Sequence, residues 1–304
     1  GAGFIGSHVV EQLVQRGDRV AVLDNLITGK RANLGSLLRK IRFLHGDIRH
    51  LPTVRRAVSG VDIVLHQAAL RSVPRSVENP TATNDTNITG TLNVLLAARD
   101  ANVKRVVFAS SSSVYGLTQA RKNVETLPTA PESPYALSKL AGEHYCRIFS
   151  NLYGVETVSL RYFNVFGPRQ DPRSVYAAVI PLFLSQLLAG ERPAIHGDGR
   201  QSRDFTYIDN IVDANLRAAR SRTVTPGETY NVGAGETTSV LTMFRQLQQL
   251  TNSTLAPRFA PRRAGDVRRT QADIRKAARG FGYRPTVNFR DGLRAYVAWY
   301  MAQQ

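Results

Sequence analysis

A tyrosine and a lysine four residues apart, Tyr135 and Lys139, form the chemically most informative pattern in the chain. Four residues is about one helical turn, so the two side chains share one face of a helix. The ammonium can stabilise a phenolate there, which makes the tyrosine a proton acceptor. Lowering a phenol pKa from about 10 to about 7 needs roughly 4 kcal/mol of differential stabilisation. Because the chain has eleven tyrosines, this spacing alone predicts a catalytic site only weakly.

A run of serines, Ser110 to Ser113, precedes this pair. The run ends an apolar segment typical of a buried strand. The pairing of this serine run with Tyr135 and Lys139 is what makes a catalytic site a candidate. The alternative is a turn that merely ends the strand. We favour the catalytic interpretation because Tyr135 and Lys139 follow.

The chain opens on a glycine-rich turn, Gly1, Gly3 and Gly6, that runs directly into a helical pattern. Glycines let a backbone approach a pyrophosphate, which the helix N-terminus then stabilises. Asp24 follows about twenty residues later, at the end of a buried-strand pattern, where a carboxylate binds the ribose of a dinucleotide. An aspartate there accepts hydrogen bonds from both ribose hydroxyls and repels a 2′-phosphate. These features predict NAD as the cofactor, in preference to NADP.

Composition limits the other classes of function. A net charge of +17 can indicate nucleic-acid binding, but only six of the forty basic residues are lysines and the arginines are scattered. Cys146 is the single cysteine, which excludes an intrachain disulfide and a thiolate metal cluster. The histidines lack metal-ligand spacing, and no apolar run has the length of a membrane span. We therefore expect a cytoplasmic protein that binds no metal, nucleic acid or membrane.

Helical and strand patterns alternate through the first half of the chain. Strands are predicted at 18–23, 41–45, 61–65, 103–109 and 156–161, and helices at 6–16, 82–100 and 134–152. This alternation predicts an α/β fold with a doubly wound parallel Rossmann sheet. Further helices are predicted at 176–189, 209–220, 239–250 and 288–300. We assign 1–167 to an NAD-binding Rossmann domain and 168–304 mainly to a smaller C-terminal substrate-binding lobe, with some segments returning to the first domain.

Seven motifs in a fixed order give the chain a family resemblance. They are His66 to Leu70, Asn87 to Asn93, Ser110 to Gly116, Ser133 to Lys139, Arg161 to Gly167, Arg203 to Phe205 and Arg263 to Asp266. With the glycine-rich start, they resemble the extended short-chain dehydrogenase/reductase family, and within it the NAD-dependent UDP-sugar 4-epimerases, particularly UDP-N-acetylglucosamine 4-epimerases. The resemblance covers essentially the whole chain. Members of the family have a strand and Thr-Gly before the first residue here, so we expect the first strand to be missing from an N-terminally truncated chain.

The resemblance implies NAD-dependent 4-epimerisation of a UDP-hexose by transient oxidation at C4. The expected substrates are UDP-N-acetylglucosamine and UDP-N-acetylgalactosamine, together with UDP-glucose and UDP-galactose. By resemblance Tyr135 is the base for the C4 hydroxyl, Lys139 its electrostatic partner and a ribose ligand, and Ser111 the serine that binds the same oxygen. A shift of one position along the serine run stays open. Related 4,6-dehydratases carry Asp-Glu in place of Ser112 and Ser113, which argues against dehydration.

Further residues match binding positions of the family. The cofactor positions are Gly3, Phe4, Ile5, Gly6, Asp24, Asn25, Asp47, Ile48, Ala68, Leu70, Arg71, Asn87, Ser110, Tyr135, Lys139 and Phe163. The substrate positions are Ser111, Ser112, Asn164, Val179, Arg203, Arg263, Asp266 and Thr270. By resemblance Arg203 and Arg263 bind phosphate oxygens, with the bidentate geometry that arginine offers, and Asn164 contacts the diphosphate. Val179 packs on the uracil, and Asp266 holds the uridine ribose.

Thr270 carries the expectation about the sugar. Epimerases of the family restricted to glucose and galactose place a bulky tyrosine at the matching position, which closes the space that an N-acetyl group needs. A threonine leaves that space open. The opposing possibility is a surface threonine that points away from the site.

Alternative functions stay open. UDP-glucuronate 4-epimerases resemble the chain around the serine run, but they place a threonine where Asn164 stands. A non-catalytic dinucleotide-binding sensor and an RNA-binding module are alternatives of another class, and the intact Ser-Tyr-Lys set argues against both. The family also implies a homodimer formed through helices 82–100 and 134–152. Leu92, Leu95 and Leu96 fit that interface and fit packing on the sheet equally well.

Overall fold

The computed structural model describes residues 1–171, 178–262 and 267–303. Its strands are β1 Ala21–Asp24, β2 Arg42–His45, β3 Ile63–His66, β4 Arg105–Ser111, β5 Glu156–Tyr162, β6 Val165–Phe166, β7 Ala194–His196, β8 Ser202–Arg203, β9 Thr206–Tyr207, β10 Glu228–Val232, β11 Thr238–Ser239, β12 Arg258–Ala260 and β13 Arg269–Thr270. Its helices are α1 Phe4–Gln15, α2 Leu51–Val58, α3 Val73–Glu78, α4 Pro80–Asn84, α5 Gly90–Asp100, α6 Pro134–Tyr153, α7 Val179–Leu188, α8 Ile208–Arg220, α9 Val240–Leu250, α10 Arg275–Phe281 and α11 Phe289–Met301.

Parallel strands form the centre of the fold and confirm the predicted α/β class. Four strands are ordered β10-β5-β4-β3, and β1 pairs in parallel with β2. Every residue of β4 is buried, as expected for a strand covered on both faces. Since the four strands run in one direction, their carboxyl ends meet along one edge of the sheet.

Successive residues of β4 face opposite helical layers because side chains alternate across a strand. Val106 and Phe108 belong to a core formed with α2, α5 and α6. Val107 and Ala109 belong to the larger core that includes residues of α1 and α8. Helices therefore cover both faces of this sheet, which is the doubly wound arrangement.

The helix that carries Tyr135 and Lys139, α6, has ends set by local sequence. The Ser133 hydroxyl caps its first turn and Pro134 is its first residue, both typical of a helix start. Gly154 ends it in the left-handed conformation, at φ +69°. Gly142 lets α6 lie directly on β4, since an added Cβ would stand 2.3 Å from the Phe108 ring.

The second half of the chain forms small sheets but also returns to the central one. The strand orders β11-β8-β13 and β12-β7 lie in this half, and α7 packs against α9. In contrast, α8 packs against α1, β4 and β5. Strand β10 extends the central sheet beside β5. Residues after 167 therefore complete the central sheet and its helical cover.

The predicted elements differ from the structure at short helices, at one irregular helix and at the strands β6 to β13, none of which was predicted, including β10 of the central sheet. Helices α2, α3 and α10 were not predicted, because elements of 6 to 8 residues give little periodic signal. The predicted helix 82–100 is instead α4, a π-helical turn at Asp85–Thr89, and α5. Such turns occur frequently at functional sites. The predicted start of the next helix, at 176, lies outside the described residues.

The longest described helix, α6, has 20 residues and carries Lys139, Glu143 and Arg147. Within 1–171, 178–262 and 267–303, no helix combines the length and apolar character needed to cross a membrane.

Candidate active site

A cleft of about 1040 Å³ opens where the strands β3 and β4 end and where α1 and α6 begin. It brings together many of the residues predicted for the site. Those that line it are Gly3, Phe4, Ile5, Gly6, Asp24, Ala68, Arg71, Ser110, Ser111, Ser112, Tyr135, Lys139 and Asn164. Residues up to about 160 positions apart in sequence thus share one cavity because parallel strands end at the same edge.

Ser111 and Tyr135 are neighbours in this cleft. Burial raises the pKa of the Tyr135 phenol, while a hydrogen bond with Ser111 and the positive charge of Arg71 favour its ionised form. The Ser111 hydroxyl also accepts a hydrogen bond from the Ser113 amide at 3.2 Å. This network fixes the serine hydroxyl beside the phenol. The pair can therefore bind and deprotonate one hydroxyl of a substrate.

Lys139 is buried behind this pair. Its Nζ donates a hydrogen bond to the Ala109 carbonyl at 2.7 Å and lies 5.0 Å from the centre of the Phe108 ring. Burial lowers the pKa of Lys139 to about 8. The expected stabilisation of the phenolate by Lys139 stays a prediction, and the positive charge of Arg71 favours the same ionised form. Lys139 also joins α6 to the end of β4.

Strand alternation separates the roles of the adjacent serines. The Ser110 hydroxyl donates to the Glu143 carboxylate on α6, on the opposite side of β4 from the Ser111 hydroxyl. The Ser110 side chain is thereby committed to the protein interior. Ser112 lines the cleft and begins the short 3₁₀ turn that follows β4. The structure thus places the Ser111 hydroxyl, and not that of Ser110, beside Tyr135.

The start of α1 fits the pyrophosphate of a dinucleotide. Gly3 is the N-cap of this 12-residue helix, and a Cβ added there would meet no described atom within 4 Å. That open space faces unpaired amides at a helix N-terminus, which favours an anion. Asp24 lines the same cleft, and its carboxylate accepts hydrogen bonds from the amides of Ala2 and Leu26, each at 2.8 Å. These residues fit a bound NAD.

Other predicted cofactor residues lie around a smaller adjoining pocket of about 60 Å³. Asn25, Ile48 and Leu70 line it. Asn87 lines neither cavity. Its side-chain Nδ2 donates a hydrogen bond of 3.0 Å to the Leu70 carbonyl, and its Oδ1 accepts one of 2.8 Å from the Leu70 backbone amide. Asn87 therefore shapes the pocket through Leu70.

Two predicted cofactor residues lie away from the cleft. Hydrogen bonds from the Arg49 guanidinium hold the pKa of the Asp47 carboxyl well below its usual range, and Asn25 donates a further bond of 2.8 Å. Phe163 is fully buried, with its ring packed against Tyr115 at 6.4 Å between centroids. Its side chain is part of the core and does not reach the cleft.

The substrate residues of the second half are only partly described. Asn164, at φ +28°, donates hydrogen bonds from Nδ2 to the Asp204 carbonyl at 3.2 Å and to Thr270 Oγ1 at 3.3 Å. Arg203 on β8 stands opposite Thr270 on β13. Val179 begins α7 and packs partly buried against the main core. Arg263 and Asp266 lie outside the described residues.

Some cleft residues were not predicted from the sequence. Trp299 and Tyr300 reach the cleft from α11, near the other end of the chain. Lys30 and Asp171, which also line it, form an ion pair of 2.8 Å across the cleft. Their sequence patterns indicate only an amphipathic helix and polar loops, so no local signal identifies them. In the described part of the chain, no cluster of histidine, cysteine and acidic residues could hold a metal ion.

Comparisons with known proteins agree with this geometry. The model of the NAD dependent epimerase/dehydratase family matches residues 1–233. A UDP-N-acetylglucosamine 4-epimerase from Methanobrevibacter ruminantium M1, solved with UDP-N-acetylmuramic acid, is 38% identical, with a TM-score of 0.95 over 100% of this chain and 96% of that one. A UDP-glucose 4-epimerase from Thermotoga maritima, solved with UDP-glucose, is 37% identical, with a TM-score of 0.94 over 100% and 97%.

One further solved relative, with lower sequence identity, is named for a different sugar. It is a UDP-glucuronic acid 4-epimerase from Bacillus cereus, solved with NAD, at 31% identity and a TM-score of 0.92 over 100% of this chain and 98% of that one. The family resemblance inferred from the motifs is confirmed by the family match and by these similarities along the whole chain. The chain belongs to the NAD-dependent epimerase/dehydratase family.

Proposed function

We propose that this NAD-dependent UDP-sugar 4-epimerase interconverts UDP-N-acetylglucosamine and UDP-N-acetylgalactosamine and also accepts UDP-glucose and UDP-galactose. The supporting observation is the small side chain of Thr270. Its hydroxyl contacts Asn164, which lines the cleft, so residue 270 adjoins the space available to a substrate. A threonine leaves room at that point for an N-acetyl group.

The proposed reaction inverts C4 without net oxidation. Bound NAD supplies reversible hydride acceptance at the sugar C4. Tyr135 takes the proton of the C4 hydroxyl, and Ser111 holds the same oxygen. Lys139 holds the end of β4 through Ala109 and would bind the nicotinamide ribose of NAD. The Gly3 turn and Asp24 would hold the pyrophosphate and the adenosine ribose.

The carboxylates of the cleft favour epimerisation over dehydration. Asp24 and Asp171 are the acidic residues among the described residues that line the cleft. Asp171 pairs with Lys30, and Asp24 binds the amides near α1. Ser112 follows Ser111 where a dehydratase would carry an acid for proton removal at C5. Among the described residues of the cleft, Tyr135 can therefore act as a base on the C4 hydroxyl, but no free carboxylate is placed to remove a proton from C5.

Thr270→Tyr tests the choice of sugar. Overpacking a site costs about 1 to 3 kcal/mol, so kcat/KM for UDP-N-acetylglucosamine should fall by about 5- to 150-fold while that for UDP-glucose changes little. Thr270→Ser is the matched control and should leave both rates near the wild-type values. Products are resolved by chromatography, with Tyr135→Phe as the inactive reference.

Two results of this experiment contradict the proposal. An equal loss on both substrates, or no loss on either, removes residue 270 from the sugar pocket. Wild-type turnover of UDP-glucuronate in preference to the neutral sugars replaces the proposed substrate with the acidic one.

We further propose a homodimer in which α6 of each subunit packs against its counterpart. Large apolar side chains are exposed on α6 and on the neighbouring α3, and these are Val73, Val77, Leu137, Ile148 and Leu152. The three on α6 are spaced by whole helical turns and therefore share one face. Leu95 on α5 is fully buried against the sheet, so α5 contributes less apolar surface than expected.

A further inference from the structure

A buried ion pair lies behind the catalytic residues without lining the cleft. Arg161 on β5 donates hydrogen bonds to both carboxylate oxygens of Glu143 on α6, from Nε at 2.9 Å and from Nη2 at 2.7 Å. Each residue exposes only 5% of its surface. Apolar residues of similar size often give equal or greater stability than such a pair, because burial removes both charges from water. Stability alone therefore does not account for it.

The pair also holds the strand that carries the catalytic serine. Ser110 stands opposite Arg161 in the register of β4 and β5, and its hydroxyl donates to the Glu143 carboxylate. Ser110 is itself 3% exposed, so this contact is closed to solvent. The carboxylate thus joins α6, β4 and β5 at a single point.

The two neighbours of Ser110 contact the reactive groups. The Ala109 carbonyl accepts the hydrogen bond from Lys139 at 2.7 Å. The Ser111 hydroxyl lies beside the Tyr135 phenol. Any displacement of Ser110 therefore changes both contacts together.

Glu143 also stands one helical turn beyond Lys139, on the same face of α6. Burial lowers the pKa of Lys139, whereas Cys146 and the Glu143 carboxylate raise it. His66 on β3 and the Phe108 ring also lie near the ammonium. Glu143 is the carboxylate that acts on this ammonium.

We propose that Glu143 is a positioning residue, which fixes the Ser110 end of β4 and is itself held in place by Arg161. This rests on the proposed function, because the reaction is what the positioning serves. Glu143 itself reaches no substrate atom, since it does not line the cleft.

Two variants and one control test this role in the full chain. Ser110→Ala removes the link to β4 and keeps the ion pair. Glu143→Gln combined with Arg161→Met removes the charges without leaving either one buried and unpaired. Ser159→Ala is the control, because Ser159 is 1% exposed on the same face of β5, opposite Phe108 and away from Glu143.

The expected result separates positioning from folding. Ser110→Ala should lower kcat by about tenfold with KM for the UDP-sugar and the Tm close to those of Ser159→Ala, since small misplacements are costly in catalysis. The double variant should lower kcat further, because it removes the carboxylate that joins α6, β4 and β5.

Three outcomes would contradict the proposed positioning role of Glu143. A folded double variant with wild-type kcat overturns the role of the Glu143–Arg161 pair in positioning. Equal kcat values for Ser110→Ala and Ser159→Ala contradict the claim that the Ser110–Glu143 contact positions β4. If the double variant does not fold, this comparison is the deciding test. If the wild-type protein turns over no UDP-sugar, both the proposed function and this inference are wrong. If the wild-type protein is active and the variants are unaffected, only the inference is wrong.

Discussion

Gly3→Ala is the substitution that most directly tests where the cofactor lies. Gly3 lines the cleft at the N-cap of α1, and its φ of −78° suits alanine without strain. A Cβ at this position meets no described atom within 4 Å. The added methyl therefore projects into open space where the pyrophosphate of NAD is expected to lie.

The structure separates the effect on binding from the effect on folding. Unfolding free energy should fall by less than about 1 kcal/mol, the cost of alanine in place of glycine at an N-cap. Overpacking against the pyrophosphate costs about 1 to 3 kcal/mol, so the Kd for NAD should rise by about 5- to 150-fold. Gly6→Ala provides the contrast, because its Cβ would lie 2.9 Å from backbone atoms of Gly1 and should lower stability as well.

The chain contains its own probe for this measurement. Trp299 is the only tryptophan and lines the cleft, so NAD binding can be followed by its fluorescence. Nucleotide-free wild type and variants are titrated with NAD, and thermal unfolding of the same samples reports stability. An unchanged Kd in a Gly3→Ala protein of normal Tm would refute the placement of the pyrophosphate at α1.

Two further predictions concern stability and assembly. Burial lowers the pKa of His66 to about 3, against about 6.5 in the unfolded chain. The unfolded chain then binds one more proton between these values, so stability is lost as pH falls below about 6.5. Urea unfolding at pH 7 and pH 5 should show about 2 kcal/mol more loss in wild type than in His66→Gln, and equal losses contradict the burial of a neutral imidazole. Leu152, which is 73% exposed on α6, lies on the proposed dimer face. Leu152→Glu should shift sedimentation towards the monomer with unchanged Kd for NAD, and a persistent dimer excludes this face.

The sequence predicted those elements of the site that have a signal within a few neighbouring residues. The glycine turn before α1, the strand β4 and the helix α6 each have a periodic or capping signal within a few residues. The side chains of Ser111, Tyr135 and Lys139 could be grouped because Ser111 ends β4 and the other two lie in the first two turns of α6.

The remaining features depend on contacts that no local signal encodes. The distinction between Ser110 and Ser111 needs the direction in which β4 faces α6, which follows only from packing. Trp299 joins the cleft through the docking of α11, nearly three hundred residues after α1. The π-helical turn at Asp85–Thr89 interrupts a pattern that predicts one continuous helix, and the Asn87 side chain in this turn binds the Leu70 backbone, a contact distant in sequence.

The position of β10 beside β5 has a consequence during synthesis of the chain on the ribosome. Residues 156–162 emerge well before residues 228–232, which pair with them. At about 5 to 20 residues per second, the 65 residues between these strands take roughly 3 to 13 seconds. Throughout that interval the backbone edge of β5 has no strand on its outer side, and until residues 208–220 have emerged α8 does not cover the face that carries Val158 and Leu160. The nascent first half is therefore exposed to strand-to-strand aggregation at this edge, and chaperone contact during translation should concentrate on residues 156–162.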